Sequence, residues 1–134
     1  DTGSRGLGDV YKRQDLSTDD VAVNVTLCFS TAQAILAAKA GATYVSPFVG
    51  RVNDQSFDGI KLIEEISDVY ATHKQKTQVL AASIRDVYQV ASCFRVGADI
   101  CTIPSKIFSG MYKHILTDQG IAKFDEDWTK LVGG

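Results

Sequence analysis

Residues 24–51 read NVTLCFSTAQAILAAKAGATYVSPFVGR, and this stretch carries most of the information about the fold. It begins with an alternating, β-branched run that predicts a strand, continues with an alanine-rich segment that predicts a helix, and ends with a second strand. Both strands contain hydroxyl or amide side chains, although strands of a parallel sheet are buried on both faces and are normally apolar. Polar groups inside such strands need partners. We therefore interpret the stretch as part of a site for a small substrate.

The composition of the chain is that of one globular domain. It has 134 residues, 45% of them hydrophobic, and a net charge of -2. No basic block is present, which argues against nucleic acid and against an anionic membrane as the main partner. No apolar run is long enough to span a bilayer. A small molecule is the expected partner.

The three cysteines, Cys28, Cys93 and Cys101, lie in or beside apolar segments and have no C-x-x-C spacing. An odd number without that spacing indicates neither a disulfide framework nor a metal site. We expect buried, reduced thiols, no metal ion, and a cytoplasmic location.

The first residues do not read as part of the domain. Residues 1–14, DTGSRGLGDVYKRQ, have no apolar periodicity. Residues 4–14 resemble the in-frame translation of a transposase sequencing adapter. We therefore expect residues 1–14 to be a non-native leader and residues 15–134 to be the domain.

From residue 15 onwards the chain repeats a strand followed by a helix. The predicted strands are residues 21–29, 43–48, 77–84 and 99–103, and the predicted helices are residues 31–40, 59–73, 86–95, 106–116 and 118–131. Residues 49–58 are predicted to be a loop. The helix at 86–95 is expected to pack through Val87, Val90, Ala91 and Phe94, and Ser105 to cap the helix that follows it.

Strands alternating with helices predict a parallel sheet, which is either open or part of a barrel. Hydroxyl side chains recur near the carboxyl ends of the predicted strands, where barrels have their active sites. An open nucleotide-binding sheet would need a glycine-rich turn, and neither G-x-G-x-x-G nor the P-loop pattern occurs. The sequence thus favours an α/β fold that is half of a (βα)8 TIM barrel. A half barrel leaves strand edges unpaired, so another copy or a missing half should cover them.

Three segments carry a resemblance to a known family: the opening stretch at residues 24–51, VLAASIR at residues 79–85, and FDEDW at residues 124–128. Together they resemble the C-terminal half of a transaldolase of the small type related to fructose 6-phosphate aldolase. The resemblance covers residues 15–130 and implies that this chain supplies the fifth to eighth strands of the barrel.

The resemblance also implies an activity in the pentose phosphate pathway. The family moves a dihydroxyacetone unit from sedoheptulose 7-phosphate to glyceraldehyde 3-phosphate, giving erythrose 4-phosphate and fructose 6-phosphate. It does so through a Schiff base on a strand lysine and without a cofactor. A homo-oligomer is expected for the parent protein.

Alternation places Asn24, Thr26 and Cys28 on one face of their strand, so Asn24 and Thr26 can both point into the barrel. From the residues alone, Asn24 and Thr26 could equally be buried polar groups that form hydrogen bonds to neighbouring strands. The resemblance implies that Thr26 positions a catalytic water and that Asn24 contacts substrate hydroxyls.

Arg51 and Arg85 follow strand ends, where an arginine can bind phosphate oxygens bidentately or can simply lie in solvent. The resemblance implies that Arg51, Ser83 and Arg85 bind the sugar phosphate and that Ser46 contacts the substrate. Phe48 resembles the residue that transaldolases have at this position, whereas the aldolase has a tyrosine there that contributes to proton transfer.

No predicted strand carries a lysine or ends in a carboxylate. The family takes these groups from its first four strands. We therefore expect the parent protein to be a transaldolase and this chain alone to be inactive. The alternatives are a fragment of a fructose 6-phosphate aldolase and a non-catalytic half-barrel that serves as a binding or assembly module.

Overall fold

The structure, a computed structural model, describes residues 21–133. The expected leader at residues 1–14 lies outside them. The strands are β1 (Asn24–Cys28), β2 (Tyr44–Pro47), β3 (Gln78–Ala81) and β4 (Ile100–Cys101). The helices are α1 (Thr31–Lys39), α2 (Val49–Asp54), α3 (Gly59–Thr72), α4 (Val87–Arg95), α5 (Ser105–Gly110) and α6 (Ile115–Gly133). The chain divides after Ile103 into two units, of which the first contains the sheet and α1 to α4.

The four strands form one parallel sheet in the order β1-β2-β3-β4. In an open doubly wound sheet the strand order reverses at the ligand-binding crevice, whereas consecutive strands of a βα barrel lie side by side. The predicted α/β class with four consecutive βα units is therefore confirmed, and the strand order is consistent with part of a barrel.

One face of the sheet carries the core. Val25, Val45 and Val79 lie in register across β1, β2 and β3, and all three are buried. The helices α1 and α3 pack against this face, and α3 contributes Ile63 and Ile66, which are fully buried. Asn24, Thr26 and Gln78 on the opposite face are exposed. Polar side chains of these strands therefore lie on the face opposite α1 and α3.

A bulge in β1 corrects the predicted position of Cys28. Leu27 has a φ of 53°, and the register shifts between Val25 and Cys28. An inserted residue reverses the alternation of side chains beyond it. Cys28 therefore lies in the core, 1% exposed, and not on the face that carries Asn24 and Thr26.

Side-chain caps explain why three helices begin where the sequence predicts. Ser30, Asp58 and Asp86 accept hydrogen bonds from the backbone amides of Gln33, Lys61 and Gln89. Such caps satisfy amides that the first turn leaves without partners. The predicted helices at residues 31–40, 59–73 and 86–95 are confirmed to within a residue or two.

The predicted loop at residues 49–58 is wrong, because its first part is the helix α2. No side chain caps this helix. Instead the amides of Val49 and Gly50 donate to the carbonyls of Ala82 and Ser83, at 2.9 and 3.0 Å. A helix whose first amides are satisfied by a neighbouring segment leaves no capping signal in the sequence.

Two further expectations are wrong, the first of them only in part, since Val90 is buried as expected. The buried face of α4 contains Val90, Ser92 and Cys93, while Val87, Ala91 and Phe94 are exposed. Ser105 does not cap a helix: α5 begins at Ser105 itself, without a side-chain cap, and ends at Gly110 where the sequence predicted residue 116. Gly110, a poor residue for a helix interior, is the last residue of this helix. Within residues 21–133, none of the helices has the length and apolar character needed to cross a membrane.

Candidate active site

The predicted phosphate-binding residues come from two segments that meet at the carboxyl ends of β2 and β3. Phe48 and Ala82 form a parallel bridge just beyond these strands. Helix α2, with Arg51, follows the first segment, and Ser83 and Arg85 follow the second. The hydrogen bond from the Gly50 amide to the Ser83 carbonyl joins the two. Both segments are thus held at the carboxyl ends of the strands, where the active sites of βα barrels lie.

Gly50 makes this close approach possible. A Cβ atom at this position would lie 2.7 Å from the Ser83 Oγ and would also meet the Ser83 carbonyl and the Arg85 side chain. Ser83 itself has a φ of 58°, in the left-handed region that non-glycine residues seldom adopt. The backbone after β3 is thus bent at Ser83 and packed directly on α2, which places Arg85 beside that helix.

Arg51 and Arg85 line one cavity of about 570 Å³. Its walls also include Phe29, Val52, Asp54 and Phe57. The structure therefore brings together the two arginines that the sequence singled out. A cavity of this size, with apolar walls and two guanidinium groups, has the properties of a site for a small anionic ligand.

Arg51 is held by an aromatic ring. Its guanidinium carbon lies 5.1 Å from the centre of the Phe48 ring, which is cation-π geometry. The Phe29 and Phe48 rings pack edge to face, with centroids 6.1 Å apart. This stacking orients the arginine without using its hydrogen-bond donors. Phe48 therefore supports Arg51 in addition to any contact with substrate.

Arg85 is held by a carboxylate that the sequence analysis did not single out. Both of its Nη atoms donate to Asp54 in α2, with Nη2 2.7 Å from Oδ2. The hydrogen bond from Arg85 holds the pKa of the Asp54 carboxyl below its usual value, and the charges of Arg85 and Arg51 act in the same direction. The pKa of Arg85 is raised by the same bond. Asp54 could not be placed from the sequence, because α2 was taken for a loop.

The remaining predicted residues lie on the face of the sheet opposite α1 and α3. The Ser46 hydroxyl donates to the Asn24 Oδ1 over 2.9 Å, which links β2 to β1. Ser46 is 3% exposed, whereas Asn24 and the neighbouring Thr26 are exposed. None of these three lines the arginine cavity. The predicted residues thus form a sheet-face group (Asn24, Thr26 and Ser46) and a cavity group (Arg51 and Arg85).

The cysteines are free thiols with different surroundings. Burial raises the pKa of Cys28 to about 11. Cys101 is only half buried, and a hydrogen bond from Cys93 lowers its pKa. The expectation of buried reduced thiols therefore fails in part for Cys101. Among residues 21–133 no three His, Cys, Asp or Glu side chains cluster closely enough to hold a metal ion.

The family model described as Transaldolase/Fructose-6-phosphate aldolase matches residues 13–134. The chain belongs to this family. The transaldolase resemblance drawn from the sequence is confirmed at the level of the family.

Curated relatives support the same assignment. The chain is 52% identical over 115 residues to a "Probable transaldolase" of Paracoccus denitrificans, an alignment that covers 86% of this chain and 53% of the relative. A "Probable transaldolase" of Cereibacter sphaeroides is 55% identical, over 81% of this chain and 49% of the relative. One of Brachyspira hyodysenteriae is 51% identical, over 88% and 54%. The chain thus spans about half the length of the curated relatives it matches.

Solved structures of lower sequence identity share the arrangement of elements. A mutant flavocytochrome b2 with benzoylformate superimposes with a TM-score of 0.55 at 18% identity, over 69% of this chain and 26% of that protein. A mandelate oxidase variant gives a TM-score of 0.52 at 20% identity, over 69% and 29%. At such identities the likeness concerns the fold alone.

Proposed function

We propose that this chain is the phosphate-binding half of a transaldolase, which transfers a dihydroxyacetone unit between sugar phosphates. In the reaction of the family, sedoheptulose 7-phosphate and glyceraldehyde 3-phosphate give erythrose 4-phosphate and fructose 6-phosphate. The chain's membership of the family and its transaldolase relatives support this proposal.

A single structural observation carries the proposal: Arg51 and Arg85 line one cavity at the carboxyl ends of β2 and β3. A phosphate ester carries up to two negative charges and several acceptor oxygens. Two guanidinium groups supply both the opposite charge and bidentate donors. Ser83, beside Gly50, can add a hydroxyl donor on the same side of α2.

The sheet-face group is assigned to the sugar. Asn24 and Ser46 are hydrogen bonded to each other, so each presents its side chain in a fixed orientation. Asn24 retains its amide NH₂ as a donor for substrate hydroxyls. Thr26, exposed beside Asn24, is the candidate for positioning the water that carries protons in the reaction.

Phe48 favours transaldolase over fructose 6-phosphate aldolase. A phenylalanine has no proton to transfer, and here its ring supports Arg51. An aldolase that uses a tyrosine at this position for proton transfer would need another proton donor if it had a phenylalanine there.

The amine that forms the Schiff base is proposed to lie outside residues 21–133. None of the strands described in this range contains a lysine. An amine needs an apolar or cationic setting to become a nucleophile near neutral pH, and the lysines of this range lie on helices or in connections. The other half of the barrel would supply the lysine and the acidic residue, and the chain alone would be inactive.

The proposal also concerns assembly and location. The last helix, α6, exposes Ile121, Phe124, Trp128 and Leu131, which is a candidate interface in a homo-oligomer. Free thiols suit a reducing compartment such as the cytoplasm.

Trapping with borohydride tests the proposal. The 134-residue chain and a chimera that joins residues 15–134 to the N-terminal half of the Paracoccus denitrificans relative would each be treated with fructose 6-phosphate and sodium borohydride. Mass spectrometry should detect a reduced dihydroxyacetone adduct on a lysine of the chimera and none on the chain alone. Arg51→Gln in the chimera should raise KM for fructose 6-phosphate by at least tenfold.

Two results would contradict the proposal. An adduct on the chain alone would show that its own lysines are competent. A folded chimera that forms no adduct would remove the assignment of these residues to transaldolase chemistry.

A further inference from the structure

The ion pair between Arg85 and Asp54 joins two parts of the chain that are 31 residues apart. Asp54 is the last residue of α2, and Arg85 lies in the turn between β3 and α4. Both side chains line the 570 Å³ cavity, and each is about half exposed, 47% for Asp54 and 49% for Arg85. The pair therefore lies at the ligand side of α2.

The geometry of the pair leaves donors for a second anion. A guanidinium group has five N–H donors in a fixed plane. Asp54 accepts one hydrogen from each Nη. The Nε–H and one further hydrogen on each Nη are not used by Asp54. Arg85 can therefore keep its carboxylate partner and still bind phosphate oxygens.

We propose that Asp54 is a positioning residue for the phosphate site, which fixes the guanidinium of Arg85 at the cavity wall before the ligand arrives. This inference rests on the proposed function of the cavity. An arginine side chain that is already ordered loses less conformational freedom when it binds a ligand. The neighbouring Arg51 achieves the same end through the ring of Phe48.

The negative charge of Asp54 also repels a phosphate, so two effects oppose each other. With Arg51, Arg85 and Asp54 together, the cavity keeps an excess of one positive charge. Both Asp54 oxygens are engaged by Arg85, and the group is open to solvent, where charge interactions are weak and are screened over about 8 Å at physiological salt. Salt also weakens the ion pair, but the two hydrogen bonds from Arg85 act at contact distance, where screening is least. We therefore expect loss of Asp54 to weaken phosphate binding.

Titration of the 134-residue chain with inorganic phosphate, followed by NMR at 0.15 M salt, tests the inference. Asp54→Asn should raise the dissociation constant about tenfold, because the amide keeps the size but offers one acceptor in place of two. Asp54→Glu should restore most of the affinity. Asp68→Asn is the matched control, since it removes the same charge from an exposed position on α3 that does not line this cavity, and it should change the constant less than twofold.

A double-mutant cycle shows whether Asp54 acts through Arg85. Lysine at position 85 keeps the charge but lacks the two-pronged geometry that Asp54 holds. In an Arg85→Lys background, Asp54→Asn should change the constant less than twofold. A purely structural role for Asp54 would give the same tenfold change in both backgrounds.

The outcomes separate the two proposals. Binding by the unaltered chain with equal or tighter binding by Asp54→Asn would overturn the positioning role alone, as would a tenfold effect that persists in the Arg85→Lys background. Failure of the unaltered, folded chain to bind phosphate would overturn the phosphate site and the positioning role together.

Discussion

The two arginines in the cavity beside α2 are held by different contacts, and these contacts leave them with different hydrogen-bond donors and net charge for a ligand. Arg51 stacks on Phe48 and keeps its N–H groups for other partners. Arg85 donates two hydrogen bonds to the carboxylate of Asp54, which balances part of its charge. We infer that Arg51 contributes more of the attraction for an anion and that Arg85 contributes more of the directional specificity.

The Asp54 carboxyl should titrate below its ordinary pKa of 3.8. The hydrogen bond from Arg85 favours the ionised form, so the contribution of the pair to folding is present above the ordinary pKa and is lost as the pH falls through the lower, folded-state pKa. An NMR titration of the side-chain carboxyl would measure this. In Arg85→Gln the midpoint should move up toward 3.8, and an unchanged midpoint in that variant would contradict the assignment of the shift to Arg85.

The thiols should react in a fixed order. Cys101 is half buried and has a lowered pKa, while burial raises the pKa of Cys28 to about 11. With a disulfide reagent at pH 8, Cys101 should be labelled first, and Cys28 only at the rate of unfolding. Cys101→Ser should abolish the fast phase. Fast labelling of Cys28 in the folded variant would be inconsistent with its position in the core.

Single residues show where sequence reasoning succeeds and where it stops. The positions of Arg51 and Arg85 after strand ends allowed them to converge, because parallel strands end at one edge, and both line one cavity. The predicted face of Cys28 was wrong because a bulge at Leu27 reverses the alternation of side chains, and no residue type in this strand indicates that bulge. Asp54 was missed because its partner is 31 residues away.

At the scale of elements, α2 depends on a neighbouring segment more than on its own sequence. Its first amides bond to the backbone after β3, and Gly50 packs against that backbone. Helices α1, α3 and α4 begin at capping side chains and were predictable for that reason. The buried face of α4 was not predictable in the same way. Val87, Val90 and Phe94 form an apolar stripe in the sequence, but Val90 and Cys93 are the residues that pack in the core.

Gly50→Ala should destabilise the first unit by about 1–3 kcal/mol, because the added methyl group meets the Ser83 backbone and the Arg85 side chain. Urea denaturation would measure the change. Gly120→Ala in α6 is the control, since a methyl group there meets no atom within 4 Å. That control should be neutral or stabilising by up to about 1 kcal/mol. Equal effects of the two substitutions would argue against the close approach at Gly50.

At the scale of the whole molecule, the sheet has one face covered by helices and one face that carries exposed polar groups. The βα repeat predicted the α/β class, and the absence of nucleotide-binding turns favoured part of a barrel over an open sheet. Closure into an eight-stranded barrel stays a prediction, because pairing at the outer edges of β1 and β4 depends on groups beyond those described.

The central claim is that the cavity binds a phosphate through Arg51 and Arg85. The most direct test is an NMR titration of the 134-residue chain that compares glycerol 3-phosphate with glycerol as ligands. We predict that only the phosphate ester binds measurably, and that Arg51→Gln and Arg85→Gln each weaken it by at least tenfold, as loss of a charge-assisted bond of about 1.5–3 kcal/mol requires. The control Arg95→Gln, at the exposed end of α4, should leave binding unchanged. Equal binding of the two ligands, or an equal loss from Arg95→Gln, would contradict the claim.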